Sequence, residues 1–485
     1  MAAIAGRTGT EASAEAVQDM LETMKHRGED TARVHEAEGV TVGVRAAALS
    51  AARGDGFAQD GETFALIDGE IYNERPDGAS DADVVLDAYR KHGRGFAGYL
   101  EGVFACVVGD GDECILARGP VGVRPMYWGT TAEGAVCFAS EMKALVGRSE
   151  DVDELQPGTM VSTRTGVSAY LPRYPDIAPE PDLAAATRQV RDSMMRAVQR
   201  RLEDGAVGAC LLSGGLDSTI IACAAYDLGA RLPLVTVGVD GAPDVENAKI
   251  VAEQLGGEHH IEPFDADAIR QAVPKAVWAL ESFDEDCVSG AISNLFASGR
   301  ARQMTNCILS GEGGDELFGG YHLLKDLATD QQRLRMMERL IEIAYNTAVQ
   351  RLDRAMMGNG IQYRTPFIDS EVAALALQIP VRWKIHGIGG GAPIEKYILR
   401  EAFRDLIPEP IYKRSKLRFA AGTGTDDLMD EVASREVGDF NEQTRRTPEG
   451  YTLHSPKELW YYRIFKAAFP AACFERLVGR WDPNK

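Results

Sequence analysis

Basic charge is scarce in this 485-residue chain: 52 lysines and arginines stand against 73 aspartates and glutamates, a formal net charge of −21. That balance repels phosphate backbones and anionic lipid, which argues against nucleic-acid and membrane-surface partners but leaves room for a local basic pocket. Paired cysteines are also lacking. The eight cysteines are scattered and none forms a CxxC pair, so neither a zinc site nor a secreted disulfide framework is indicated. They read as buried free thiols of a reducing compartment. No apolar run approaches the ~18 residues of a membrane span, and Met1-Ala-Ala-Ile-Ala-Gly-Arg-Thr-Gly9 has no apolar signal-peptide core. A cytoplasmic protein is expected. Internal repeats, heptads and low-complexity tracts are absent.

What is present is ordinary globular composition, 45% hydrophobic and 26% charged, in a chain long enough for two or three domains of about 150 residues. Residues 1–170 read as short strands between glycine-rich turns, including Val40–Val44, Thr63–Ile67, Val103–Val108, Cys114–Ala117 and Ala135–Ala139. Helical patterns interrupt them near Glu11–Lys25 and Asp81–Lys91, giving an α+β arrangement and not a βαβ series. Tyr170–Asp182 holds four prolines in thirteen residues, so residues 171–182 are expected to be a linker. From 183 to 485 the period changes. Helices at Leu183–Arg201 and Asp244–Leu255 alternate with strands at Val207–Leu212, Leu232–Val239 and Cys307–Leu309, the pattern of a doubly wound parallel sheet. Beyond about Gln331 the pattern is mostly helical.

Two loops carry chemistry. Ser213-Gly-Gly-Leu-Asp-Ser218 follows a buried strand and opens a helix. Its glycines, Gly214 and Gly215, let backbone approach a phosphate, and the helix N-terminus offers unpaired N–H groups. Ser213 and Ser218 add hydroxyls, and Asp217 is a hard oxygen ligand suited to magnesium. The loop has no lysine, which excludes the Walker-type NTPase loop. Ser310-Gly-Glu-Gly-Gly-Asp-Glu-Leu-Phe-Gly-Gly-Tyr321 follows a second short strand and is expected to face the first loop. There Asp315 completes the magnesium site, and Glu312 serves as a base or binds an incoming amine.

Together these loops resemble the synthetase domain of the asparagine synthetase B family. Further matches are Val237-Gly238, Ala242-Pro-Asp244, Gly360-Ile-Gln-Tyr-Arg-Thr-Pro-Phe-Ile-Asp369, Glu395-Lys-Tyr-Ile-Leu-Arg400 and Lys457-Glu-Leu-Trp-Tyr-Tyr-Arg463. The first half resembles that family's glutaminase domain through His26-Arg-Gly-Glu-Asp30, Asp68-Gly-Glu-Ile-Tyr-Asn73 and Ala139-Ser-Glu-Met-Lys-Ala-Leu145. The resemblance implies an Ntn-hydrolase-like sandwich followed by an α/β PP-loop ATP pyrophosphatase domain. It also implies Mg-ATP chemistry in which a small carboxylate is adenylated and an amine then displaces AMP. In that scheme Ser213, Gly214, Gly215, Leu216, Asp217 and Ser218 hold the phosphates together with Gly311. Leu212, Val237 and Gly238 line the adenine pocket, Asp217 and Asp315 hold Mg2+, and Lys396 and Lys416 neutralise the leaving pyrophosphate. Partners are then a small-molecule carboxylate and ammonia or an amine, with a homodimer left open.

Three departures matter. Glutamine-hydrolysing members begin Met-Cys-Gly-Ile, whereas this chain reads Met1-Ala2-Ala3-Ile4, and alanine has no nucleophile. Asp68 stands where the family has an oxyanion-binding asparagine, and a carboxylate there repels developing negative charge. A degenerate glutaminase domain kept for packing is expected, with the glutamine-site positions Arg45 and Asp81 surviving as structural residues. Ser289 replaces an arginine near the amino-acid substrate, removing a bidentate carboxylate clamp and putting aspartate in doubt. Gln362, where the family commonly has glutamate, is a further change expected near the site. β-Lactam synthetases place tyrosine at the position of Glu312, with a glutamate partner near Gln350 here, so Glu312 favours amide formation; intramolecular ring closure, ammonia-dependent asparagine synthesis and a non-catalytic scaffold are the alternatives. The pair His259-His260 is expected at a strand edge and not on a metal. The aromatic stripe Trp460, Tyr461, Tyr462, Phe465 and Phe469 is expected to pack.

Overall fold

The computed structural model describes residues 2–9, 12–47, 53–387 and 392–481. The first half holds two six-stranded antiparallel sheets. One contains Ala2–Thr8 between Val40–Ala46 and Val136–Ala139; the other contains Gly102–Asp110 between Thr63–Ile71 and Glu113–Arg118. Alternation along each strand decides what faces what. Ala2, Ile4, Val42 and Val44 of the first sheet meet Phe64, Leu66, Val107 and Leu116 of the second to form the inner core. The alternate residues Ala3 and Ala5 turn outward beneath Val17, Met20 and Leu21 of the helix Ala14–Thr23. On the far face, Ile67, Cys106 and Val108 are covered by Val85 and Leu86 of Asp81–His92, whose start is fixed by a Ser80/Asp83 capping box. The result is a helix–sheet–sheet–helix sandwich. The expected helix from Glu11 starts at Ala14, capped by Ser13, and Glu11 lies outside the described residues.

No helix or strand lies between Ala169 and Leu183. Beyond it, a five-stranded parallel sheet runs in the order His259–Glu262, Leu234–Val237, Ala209–Leu211, Cys307–Leu309, Gln362–Arg364. Chain order reverses between Ala209–Leu211 and Cys307–Leu309, where neighbouring connections leave to opposite sides and open a crevice at the carboxyl ends. Both chemistry-bearing loops emerge there.

The region after Gln331 is mostly helical, as expected, but it also supplies the strand Gln362–Arg364, which the sequence reading missed. At three residues it is too short to show a period, and only its neighbour Cys307–Leu309 defines it. Gln362 is corrected with it: it opens that strand opposite Cys307, at the sheet end away from the Ser310 loop, and is fully buried. His259 and His260 do sit on an edge strand, held by Thr236 Oγ1 at 2.8 Å and Arg300 Nη2 at 2.8 Å. Tyr461, Phe465 and Phe469 are core residues. All eight cysteines are buried and unpaired. Among the described residues no helix is long and apolar enough to cross a membrane.

The two halves meet around a buried ion network. Arg27 reaches Asp68 (2.9 Å) and Glu141 (3.0 Å) of its own half and Asp353 (2.9 Å) of the other. Asp353 also receives Arg124 at 2.7 Å, and Arg354 pairs with Glu141 (3.1 Å) and Glu281 (3.2 Å). Glu281 caps its helix in the left-handed conformation (φ 57°) and accepts the backbone N–H groups of Met142 and Lys143. A non-glycine residue persists there only where its surroundings over-determine it, and those contacts do so.

Candidate active site

The strand Ala209–Leu211 ends in the Ser213 loop, and Leu216–Asp227 begins directly after it. The loop is folded on itself: Ser218 Oγ accepts from the Ser213 N–H at 3.1 Å and lies 2.9 Å from Ser213 Oγ. This leaves the first turn of the helix facing the crevice. From the neighbouring strand, the second loop comes so close that a side chain at Gly311 would strike the Ser218 amide at 2.6 Å. One at Gly314 would strike the Asp217 carboxylate at 2.7–3.0 Å. Glycine at both positions is what lets Asp217 and Asp315 share one site.

Lys396 lies between these two carboxylates, paired with Asp217 Oδ2 and, at 2.5 Å, with Asp315 Oδ1. Lys416 reaches Asp315 Oδ2 at 2.6 Å. Lys396 has a left-handed backbone (φ 57°), the second non-glycine residue with positive φ beside Glu281 among those described. Both lysine segments hang on Glu395, whose carboxylate accepts the Lys416 N–H at 2.6 Å and pairs with Arg400 and Lys325. Glu312 meets Arg351 at 3.1 Å.

Burial and neighbouring charge set the protonation of this group. Burial pushes the Asp217 carboxyl up, against the pull of Lys396. Burial acts the same way on Asp315, but Lys396 and Lys416 outweigh it and hold that carboxyl below its usual range. Lys416 is raised despite burial by Asp315 and Asp217. Burial raises Glu312, opposed by Arg351 and reinforced by Asp315. Glu316, buried beside Glu312 and Asp315, is pushed up to about 7.

Of the residues expected here, Leu212, Ser213, Gly215, Leu216, Asp217, Ser218, Val237, Gly311, Glu312, Asp315, Lys396 and Lys416 line one cavity. Gly214 and Gly238 stand behind it. Gly214 (φ 72°) backs onto Asp244, and Gly238 packs on Val245 and Thr423. Missed by sequence were Arg414, which donates to the Gly214 carbonyl at 2.7 Å and pairs with Asp244, and Arg351. Arg414 sits in the basic run Lys413–Lys416, which was a usable signal; Arg351 had none. Gln350 does not meet Glu312; it donates to the Leu280 carbonyl at 2.7 Å.

Nucleotide and Mg2+ fit this donor set. Among the described residues no group of three or more His, Cys, Asp or Glu forms a metal site. Two carboxylates are nevertheless what magnesium takes when substrate phosphates supply its other oxygens. Asp217 Oδ1 is buried without a hydrogen-bond partner, a vacancy in coordination that a cation would fill. The cavity is about 140 Å3, smaller than the ~300–1,000 Å3 of typical ligand sites. Lys396 and Lys416 pair with the two aspartates that line it.

In the first half, the positions that resemble the glutamine site make contacts within their own domain. Arg45 pairs with Glu22 at 2.7 Å, and Asp81 accepts from the Ile71 N–H and pairs with Arg75 at 2.8 Å. Asp68 faces Arg27, and the Ala2 carbonyl accepts from Arg27 Nε at 3.2 Å.

Comparison with known proteins agrees with this geometry. The asparagine synthase family matches residues 189–345 and 326–473, and the glutamine amidotransferase domain matches residues 1–164. Asparagine synthetase [glutamine-hydrolyzing] 1 of Lotus japonicus is 30% identical over 504 residues, covering 95% of this chain and 84% of its own. Asparagine synthetase B [glutamine-hydrolyzing] of Escherichia coli (strain K12) is 28% identical over 488 residues, covering 93% and 88%. The chain belongs to the asparagine synthetase family, a class of ATP-dependent amide ligases.

Proposed function

We propose that this protein is an ATP- and Mg2+-dependent ligase that adenylates a small amino-acid-like carboxylate and passes the acyl group to ammonia or an amine, without hydrolysing glutamine. The observation that carries this reading is the convergence of Asp217 and Asp315, from two loops at the switch point of the sheet, on Lys396 beside a helix N-terminus. A substrate carboxylate oxygen attacks the α-phosphorus of ATP and pyrophosphate leaves. The amine nitrogen then bonds to the acyl carbon, the carbon–oxygen bond to AMP breaks, and the nitrogen gives up a proton.

Each residue has a task in this scheme. The Ser213–Ser218 loop and the helix start bind phosphate oxygens through N–H and hydroxyl groups. Asp217 and Asp315 hold Mg2+, which when bound neutralises phosphate charge and orients the leaving group. Lys416, kept charged by Asp315, stabilises negative charge growing on the departing pyrophosphate, and Lys396 does the same after releasing the aspartates. Leu212 and Val237 exclude water around the base. Glu312, raised by burial and held by Arg351 through Oε1, accepts the proton of the amine nitrogen at Oε2.

The absence of glutamine hydrolysis is supported by Ala2, which has no nucleophile, and by Asp68, whose carboxylate is turned to Arg27. Substrate-dependent ATP–pyrophosphate exchange across a panel of amino-acid carboxylates tests the proposal, with Asp217→Ala as control. Exchange with one carboxylate, lost in the control, identifies the acyl donor. Silence across the panel together with no calorimetric binding of Mg-ATP rejects the ligase reading.

A further inference from the structure

The lining of the nucleotide cavity changes character with depth. At the carboxyl ends of the strands lie the Ser213 loop, Asp217, Asp315, Lys396 and Lys416, all charged or hydroxylic groups suited to phosphate and metal. Further back along the strands the lining is apolar. Leu211 and Val235 come from the sheet, and Ala297 and Leu352 from the helices Glu285–Arg302 and Ala348–Met357. Leu211 packs both against the cluster that holds Val237 and Ala297 and against the one that holds Val235 and Leu352, so these residues form one continuous recess.

Two polar side chains reach the cavity from the strand and helix that build this recess. Thr236 is already satisfied: its Oγ1 donates to the Leu212 carbonyl at 2.6 Å and lies 2.8 Å from His259 Nε2. Asn294 is not. It stands one turn before Ala297 on the cavity-facing side of Glu285–Arg302, which packs on the strand Leu234–Val237. It is 5% exposed, and among the described residues neither its carbonyl nor its amino group has a hydrogen-bond partner. Its amide is nevertheless reached from the cavity.

An asparagine amide carries an acceptor beside two donors, and leaving them unmet in an apolar recess is costly unless a ligand meets them. The ligand that fits is uncharged and apolar on its faces, with a donor next to an acceptor at its edge. A nucleobase has this form, and the 6-amino group of adenine beside a ring nitrogen is the usual partner of an asparagine amide. The amino-acid acyl donor does not fit. Its ammonium or carboxylate would lose water among Leu211, Val235 and Ala297 with no opposite charge to receive it.

We propose that Asn294 reads the base of the nucleotide, its carbonyl accepting from the 6-amino group of adenine and its amino group donating to the adjacent ring nitrogen. Asn294 thereby sets the preference for ATP. This rests on the reading of the cavity as the nucleotide site of a ligase and adds the side chain that selects which nucleotide enters.

Calorimetry on the full chain tests the assignment with the Mg2+ complexes of ATP and of purine riboside triphosphate, which lacks only the 6-amino group. The unaltered protein is expected to bind ATP about tenfold more tightly, the contribution of one hydrogen bond in a dry site. Asn294→Leu is expected to weaken ATP by about tenfold or more and to bind the two nucleotides equally, because the amino group has lost its acceptor. Asn294→Ala, which only removes atoms, carries the same expectation and serves if the leucine variant does not fold. Undiminished preference for ATP in either folded variant overturns the proposal and leaves the ligase reading standing, as does equal binding of the two nucleotides by the unaltered protein. A raised KM for the acyl donor in ATP–pyrophosphate exchange, with ATP affinity unchanged, overturns it by giving the amide to the other substrate. Binding of neither nucleotide by the unaltered protein removes the ligase reading and this assignment with it.

Discussion

Two clusters of buried charge in this molecule follow opposite rules. Between the halves, four carboxylates (Asp68, Glu141, Glu281, Asp353) interleave with Arg27, Arg124, Lys143 and Arg354, each carboxylate within 3.2 Å of a cation. At the sheet switch point, Asp217, Asp315, Glu312 and Glu316 lie together on two loops, Asp217 keeps one oxygen and Glu316 another without a donor, and the carboxyls of Asp217, Glu312 and Glu316 are pushed up. The first cluster pairs each carboxylate with a cation and joins the two halves, although Asp68 Oδ1 is also buried without a donor. The second crowds four carboxyls around three cations, and crowding that shifts protonation in this way is the mark of a ligand site.

The comparison breaks most visibly at Arg27. Arg27→Met leaves Asp68, Glu141 and Asp353 facing one another in a dry interior and is expected to cost about 3–5 kcal/mol, read by urea unfolding. A loss below about 1 kcal/mol would show that the network is not the clamp described. At the other cluster the balance reverses. Asp217→Asn removes a carboxylate that burial already disfavours, so stability should hold or rise, while ATP–pyrophosphate exchange falls by about 10²-fold or more. Lys416→Met is expected to lower exchange by a similar ~10²-fold while Mg-ATP affinity falls less, because its charge matters most as pyrophosphate departs. Equal losses in rate and affinity would make Lys416 a binding residue only.

The smallest effect is a pH dependence. Glu316 is raised from 4.5 to about 7 in the folded protein, so its contribution to stability is complete below about 4.5 and is lost as pH rises through about 7. Glu458, also buried and raised to about 7, acts in the same direction. The melting temperature of the ligand-free protein should therefore fall between about pH 5 and 8, and Glu316→Gln should flatten part of that slope, a difference of roughly 2 °C. An unchanged slope would mean that Glu316 is not strained by its neighbours.

What was legible in the sequence was what is contiguous. Ser213–Ser218 and Ser310–Tyr321 each carry glycines, acids and hydroxyls within a dozen residues, and each follows a strand, so their meeting at a switch point was foreseeable. Lys396 and Lys416 came through resemblance alone. Arg351 was invisible because its partner Glu312 is 39 residues away, and nothing in Gln350-Arg351-Leu352 marks the side that meets it. The network was invisible for the same reason: Arg27 and Asp353 are 326 residues apart. The last strand of the parallel sheet failed differently, since three residues cannot display alternation and a helical neighbourhood hides them. Asp68 was legible as a carboxylate where the resemblance has an asparagine, but its partner, the Arg27 guanidinium, required the fold.

Arg27 has a consequence for the history of the gene. Its guanidinium serves carboxylates from three separate stretches of chain, two in the first half and one on the Ala348–Met357 helix, which also presents Arg351 to Glu312. Deleting the first half would strand Asp353 and unseat that helix, and changing any one partner alone leaves the others uncompensated. A region whose charges are shared with its neighbour in this way is inherited with it, because it cannot be removed one substitution at a time.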